Sequence, residues 1–112
     1  MERERDPFYR IMQWYYAHCD GDWEHDEGIL IGTLDNPGWY LKINLEGTEL
    51  EAKPFTEISQ LEHEIEWHRC WVENKKFHGA GGPMMMIIIM EAFLDWAYSD
   101  YTELESDENN MK

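Results

Sequence analysis

Gly28-Ile-Leu-Ile-Gly-Thr-Leu-Asp-Asn-Pro-Gly-Trp-Tyr-Leu-Lys-Ile-Asn-Leu45 is the stretch that decides the fold. Ile29, Ile31 and Thr33 alternate with Leu30, Gly32 and Leu34, and after the turn Trp39, Leu41, Ile43 and Leu45 alternate with Tyr40, Lys42 and Asn44. A period of two is that of a strand, whose successive side chains point to opposite faces. Two such runs across a short connection make an antiparallel pair. Asn36-Pro37-Gly38 supplies that connection, with proline fixing the second turn position and glycine accepting a positive φ at the third.

Toward the N-terminus the period becomes helical. Asp6 before Pro7 is a helix start, because the carboxylate caps free amides and proline loses no hydrogen bond there. The helix is expected to run to about Cys19, with Phe8, Ile11, Met12, Tyr15 and Cys19 on a buried stripe and Trp14 and Tyr16 on its flanks. Toward the C-terminus, Glu46-Gly47 marks a turn and residues 48–55 a connection. Residues 56–63 and 67–73 read as strands, the second with Trp67 and Trp71 on one face, and 75–78 as a short fifth with a turn at Asn74-Lys75. Gly79-Ala-Gly-Gly-Pro83 breaks the pattern before a second helix. Its main stripe is Met86, Met90, Phe93, Leu94 and Ala97, widened by Met85, Ile89 and Trp96, with Glu91, Asp95 and Tyr98 outward.

Helix, four to five strands and helix, with short connections, imply an α+β fold. The expected form is an antiparallel meander covered on one face by both terminal helices. Residues 1–101 are expected to form a single domain and residues 102–112 an acidic flexible tail. With 43% apolar residues and 16 aromatics among 112, the chain can offset the entropy of ordering, which an acidic disordered chain cannot.

The net charge is −15, of which the last fourteen residues carry −4 and the other 98 carry −11. Such a field argues against nucleic acid and anionic membrane as partners and speeds association with a basic protein surface. The mixed-charge start Met1-Glu-Arg-Glu-Arg-Asp6 does not read as a secretory leader, so secretion is not expected, and residues 77–90, the longest charge-free run, fall short of a membrane span. The expectation is a cytoplasmic protein with reduced Cys19 and Cys70.

Chemistry concentrates in Asp20-Gly-Asp-Trp-Glu-His-Asp-Glu27, five carboxylates in eight residues around a tryptophan. Asp20, Asp22 and Glu24 begin a calcium-loop spacing, but His25 stands where that loop needs glycine and Ile31 where it needs the bidentate glutamate. His18-Cys19 with His68-Arg69-Cys70 lacks the ligand spacing of a structural zinc site. No local motif sets a base beside a nucleophile, and the glycine run lacks the Gly-Lys-Ser/Thr of a phosphate cradle. Neither metal, cofactor nor enzymatic activity is expected. Most tryptophans, Trp14, Trp67, Trp71 and Trp96, fit a shared interior, whereas Trp23 and Trp39 lie at polar turns, where core and interface weigh equally. Within Met84-Met-Met-Ile-Ile-Ile-Met90, Ile87 or Ile88 has to face solvent or a neighbour, which leaves a homodimer contact open.

Taken together, Cys19-Asp-Gly-Asp-Trp-Glu-His25, Thr33-Leu-Asp-Asn-Pro-Gly-Trp39, Leu45-Glu-Gly-Thr-Glu-Leu50, Lys53-Pro-Phe55, Cys70-Trp-Val-Glu-Asn74 and Gly79-Ala-Gly-Gly-Pro83 resemble the immunity protein 53 family of bacterial polymorphic toxin systems. The likeness spans about Trp14 to Trp96, with the methionine and isoleucine run less typical. It implies an α+β protein that neutralises a cognate toxin without enzymatic chemistry. Two site hypotheses follow. In one, Asp20, Asp22, Glu24, Asp26, Glu27 and Asp35 face a basic patch on the toxin, for example the groove of a nuclease, with Trp23 and Trp39 as anchors. In the other, those motifs are structural and the toxin is met on another face. Burial of Trp23 separates them.

Overall fold

The computed structural model describes residues 6–99, so the tail expected at 102–112 lies outside the described residues. The elements are α1 (Pro7–His18), a 3-10 turn (Trp23–Asp26), β1 (Ile29–Leu34), β2 (Gly38–Asn44), β3 (Ile58–Gln60), β4 (His68–Glu73), β5 (Lys76–Gly81) and α2 (Met86–Ala97). They form a five-stranded, wholly antiparallel sheet with both helices on one face, an α+β architecture.

The strand order is β1-β2-β5-β4-β3, which corrects the expected meander. After β2 the chain crosses to the far edge, lays down β3 and β4, and inserts its last strand at the centre. The run expected to break the sheet, Gly79-Ala-Gly81, is part of that central strand. Glycine there follows from the helix above. A Cβ on Gly79 would lie 2.3 Å from Ile89 Cγ2, and one on Gly81 would lie 3.0 Å from both Met85 Cβ and Ile89 Cδ1. Small residues let α2 sit close to the sheet, and the burial of Ile89, Phe93 and Leu94 over Leu41, Ile43, Cys70 and Phe77 compensates for weak strand propensity.

The Asn36–Pro37 peptide is cis, and Gly38 has no positive φ. It opens β2 instead, where a Cβ would meet the Gly81 carbonyl oxygen at 2.2 Å, so its glycine serves close strand approach. At the β4–β5 hairpin the turn is where expected, with Asn74 and Lys75 both at positive φ (55° and 61°), as a two-residue type I′ turn requires. β3 is shorter than the 56–63 run expected, and the residues after it, 61–66, are all exposed, Leu61 and Ile65 included.

Asp6 caps α1 by accepting the Phe8 N–H at 2.9 Å. The buried face of α1 differs from the expected stripe: Ile11 and Trp14 are buried, while Phe8, Met12 and Tyr15 are exposed. α1 packs chiefly on α2, and Trp14 meets Phe93 edge-on at 5.2 Å. The next row of apolar residues borders β1. In α2 the inward residues are close to those expected, and Ile87 and Ile88 are both exposed. Trp71, expected inside, lies on the open face of the sheet because the strand period gives the inward position to Cys70.

Candidate functional site

Asp20, Gly21, Trp23 and Glu24 of the acidic loop hold the loop itself. Past the end of α1, Gly21 adopts φ 98°, which turns the chain back. Asp20 Oδ1 then accepts the N–H groups of Asp22 (2.9 Å) and Trp23 (3.0 Å), capping the 3-10 turn. Glu24 reaches the other way, accepting the N–H groups of Asp20 (2.9 Å) and Gly21 (2.8 Å). The backbone N–H groups of Trp23 and Asp22 hold the Asp20 carboxyl below its ordinary value. Glu24 is lowered likewise, by its own N–H first and then, against partial burial, by those of Asp20 and Gly21.

Trp23 is the floor of this loop. Its side chain is only 8% exposed, its indole N–H donates to the Asn44 carbonyl at 3.3 Å, and its ring meets Trp14 edge-on at 5.7 Å. Gly28 presses on the same ring, since a Cβ there would lie 2.6 Å from Cη2. Glu27 takes the left-handed conformation at φ 60° that joins the turn to β1. Asp22, Asp26 and Glu27 remain exposed on the outside, and Glu27 reaches Lys42 at 3.5 Å.

Asp35 and Trp39 are elsewhere. β1 separates Glu27 from Asp35 by roughly 25 Å at strand rise. Asp35 is exposed in the hairpin turn, and half-buried Trp39 donates its indole N–H to the Pro83 carbonyl at 2.9 Å. The two motifs therefore fasten opposite ends of one hairpin, Trp23 at its open end and Trp39 at its turn. Both indole N–H groups are held by backbone carbonyls.

Sequence reasoning missed three contributors. Glu46 and Gly47 join Asp20, Asp22 and Asp26 around one shallow cleft of about 240 Å³ over Trp23 and Asn44, a proximity that only the β1–β2 register creates. Across the open sheet face, the Arg69 guanidinium lies 4.1 Å from the Trp71 ring, Trp71 stacks on His78 at 5.1 Å, and His78 Nδ1 meets the Tyr40 hydroxyl at 2.6 Å. Burial pushes the His78 pKa down, which favours a neutral imidazole beside the Tyr40 hydroxyl. The alternation of β4 could have paired Arg69 with Trp71, but His78 joins them only through the strand order. The third contributor is the exposed row Phe8, Met12 and Tyr15 on α1, which borders a groove with β1.

The candidate nucleophile and metal residues have separate occupations. His18 joins the Trp14 carbonyl and Glu49, each at 2.8 Å, and the Cys19 thiol donates to the Tyr15 carbonyl at 3.3 Å. Cys70 is fully buried, and burial pushes its thiol up to about 12, far from thiolate chemistry at neutral pH. No helix among the described residues is long and apolar enough to cross a membrane.

No curated protein and no solved structure gives a significant match to this chain. The profile of immunity protein 53 matches residues 8–98, from the first turn of α1 to the end of α2 and across every strand. The chain therefore belongs to the immunity protein 53 family.

Proposed function

We propose that this protein neutralises a cognate bacterial toxin by binding it through the acidic loop, with Asp22, Asp26 and Glu27 directed at a basic surface such as the nucleic-acid groove of a nuclease. The observation that carries the site assignment is the division of labour within the loop. Asp20 and Glu24 spend their carboxylates on the loop's own N–H groups above the buried Trp23, whereas the exposed Asp22, Asp26 and Glu27 accept none of the loop's N–H groups described above. A loop tied in this way presents charge without an ordering cost on binding. Glu46 adds to the same cleft, Trp39 fastens the far end of the hairpin, and Asp35 stands exposed in its turn.

The roles are thus a blend of the two site hypotheses, with the tryptophans structural and the outer acids in contact. Inhibition by occlusion needs no chemistry from this chain. The Asp22→Asn/Asp26→Asn pair tests the reading against the toxin encoded by the neighbouring gene. Association should slow by about tenfold at low salt, and the difference should shrink above about 0.5 M salt as screening takes over. Unchanged kinetics at every salt concentration would move the interface off this loop.

A further inference from the structure

β1 is an end strand of the sheet among the described residues, and its ladder phase says which of its polar groups β2 leaves unpaired. Asn44 N–H donates to the Gly28 carbonyl at 2.8 Å. Bonded and non-bonded pairs alternate in an antiparallel ladder, so Leu30, Gly32 and Leu34 share the inward phase of Gly28. Ile29, Ile31 and Thr33 consequently turn their N–H and C=O groups out of the sheet. The strand reads Ile-Leu-Ile-Gly-Thr-Leu, without a charge or a proline to discourage pairing.

A groove of about 450 Å³ runs beside that edge, between α1 and β1. Phe8, Met12, Tyr15 and Ile31 line it while each remains 37–49% exposed, and Ile11 is buried at its base. Glu24 and Glu27 stand at one end of the groove, next to the acidic loop. Ile31 belongs to both features, with its side chain in the groove and its backbone on the free edge.

Resting on the immunity reading, we propose that β1 receives an extended segment of the cognate toxin as a further strand. Alternate apolar side chains of that segment seat in the α1–β1 groove, and a lysine or arginine lies beside Glu24 and Glu27. Strand addition suits the edge because main-chain hydrogen bonds supply affinity while alternate side chains, all on one face, supply specificity. Charge selects the occupant. A second copy of this chain, also at −15, would set Glu27 against Asp35 if paired antiparallel or against Glu27 if paired parallel, whereas a basic segment meets opposite charge.

The test uses the full chain and a catalytically inactivated form of the toxin domain encoded by the neighbouring gene, with growth rescue against the active toxin as a parallel readout. On adding toxin, amide exchange at Ile31 and Thr33 should slow by about tenfold or more, with less change at Leu30 and Gly32, which already bond to β2. Thr33→Pro removes one outward donor without touching the β2 ladder and should weaken binding by about tenfold. Ile31→Lys, which sets an ammonium in the groove, should do the same and serves if the proline variant does not fold. If wild type binds and rescues while the Ile31 and Thr33 amides stay unprotected, or both variants bind as wild type, strand addition is overturned and the immunity reading stands. If wild type neither binds nor rescues, both fall. Protection that grows with the concentration of this chain alone would identify a second copy as the occupant and overturn the proposal.

Discussion

The two edges of the sheet are built by opposite rules. β3 spans three residues, Ile58–Gln60, with the Glu57 carboxylate held to Arg69 at 2.7 Å before it and the exposed acids Glu62, Glu64 and Glu66 after it. β1 spans six uncharged residues beside an open apolar groove. Natural sheets protect an edge with shortness and charge, and this chain applies both to β3. The difference teaches that a net charge of −15 is no general guard. The acids sit at the ends of β1, at Glu27 and Asp35, and leave its length open.

The largest expected effect would break the comparison by removing β1's footing. Trp23→Ala deletes a buried indole between Gly28, Trp14 and Asn44, and should cost about 3–5 kcal/mol of folding free energy in urea denaturation. A cost under about 1 kcal/mol would mean that the ring is not part of the core. Next in size is a guard transplanted to the open edge. Leu30→Lys faces the uncovered side of the sheet, so stability should change by less than about 1 kcal/mol. Toxin affinity should nonetheless fall severalfold, because a charged edge resists pairing.

Acid titration probes the loop that begins β1. Both carboxyls, Asp20 and Glu24, are depressed below their ordinary 3.8 and 4.5. A depressed carboxyl favours the folded state above its unfolded pKa and loses that contribution as pH falls through its folded value. Stability should therefore decline from about pH 5 downward. Asp20→Asn with Glu24→Gln should flatten that decline in a thermal melt series, and an unchanged slope would mean that the loop's hydrogen bonds do not depend on charge. The smallest effect belongs to the guarded edge, where Ser59→Lys adds charge to charge. Stability should stay within about 0.5 kcal/mol and toxin binding should not move. A binding loss at Ser59 as large as one at Leu30 would erase the distinction between the edges.

How much of this was legible from sequence varies by physical cause. Local periodicity and capping gave α1 from Asp6, the pairing of β1 with β2 and the inward stripe of α2, though not the form of the turn at Gly38, because each depends on neighbours within a few positions. The central place of β5 was not legible. Glycines at 79 and 81 weaken a strand locally, and only the close seat of Ile89 and Met85 above them makes them the residues required. The buried row of α1 lies one helical step from the expected stripe for a similar reason, since the packing against α2 that buries Trp14 is tertiary. At the candidate site, the concentration of acid around Trp23 was visible. The internal hydrogen bonds of Asp20 and Glu24 were not, because side chains at turns choose between solvent and backbone according to the path of the chain.

The insertion of β5 between β2 and β4 also sets an order of assembly. During synthesis, β1 and β2 can pair as soon as they emerge, and β3 can pair with β4, but only Lys76–Gly81 joins the two hairpins into one sheet. Until it arrives, β2 is an open edge as well as β1, and Phe77 and α2 are missing from the core. A chain stopped before residue 76 therefore consists of two unjoined hairpins with α1 but without α2 to cover them, a target for proteases and chaperones. Protection of the cell would accordingly begin only when the last third of the chain has been made.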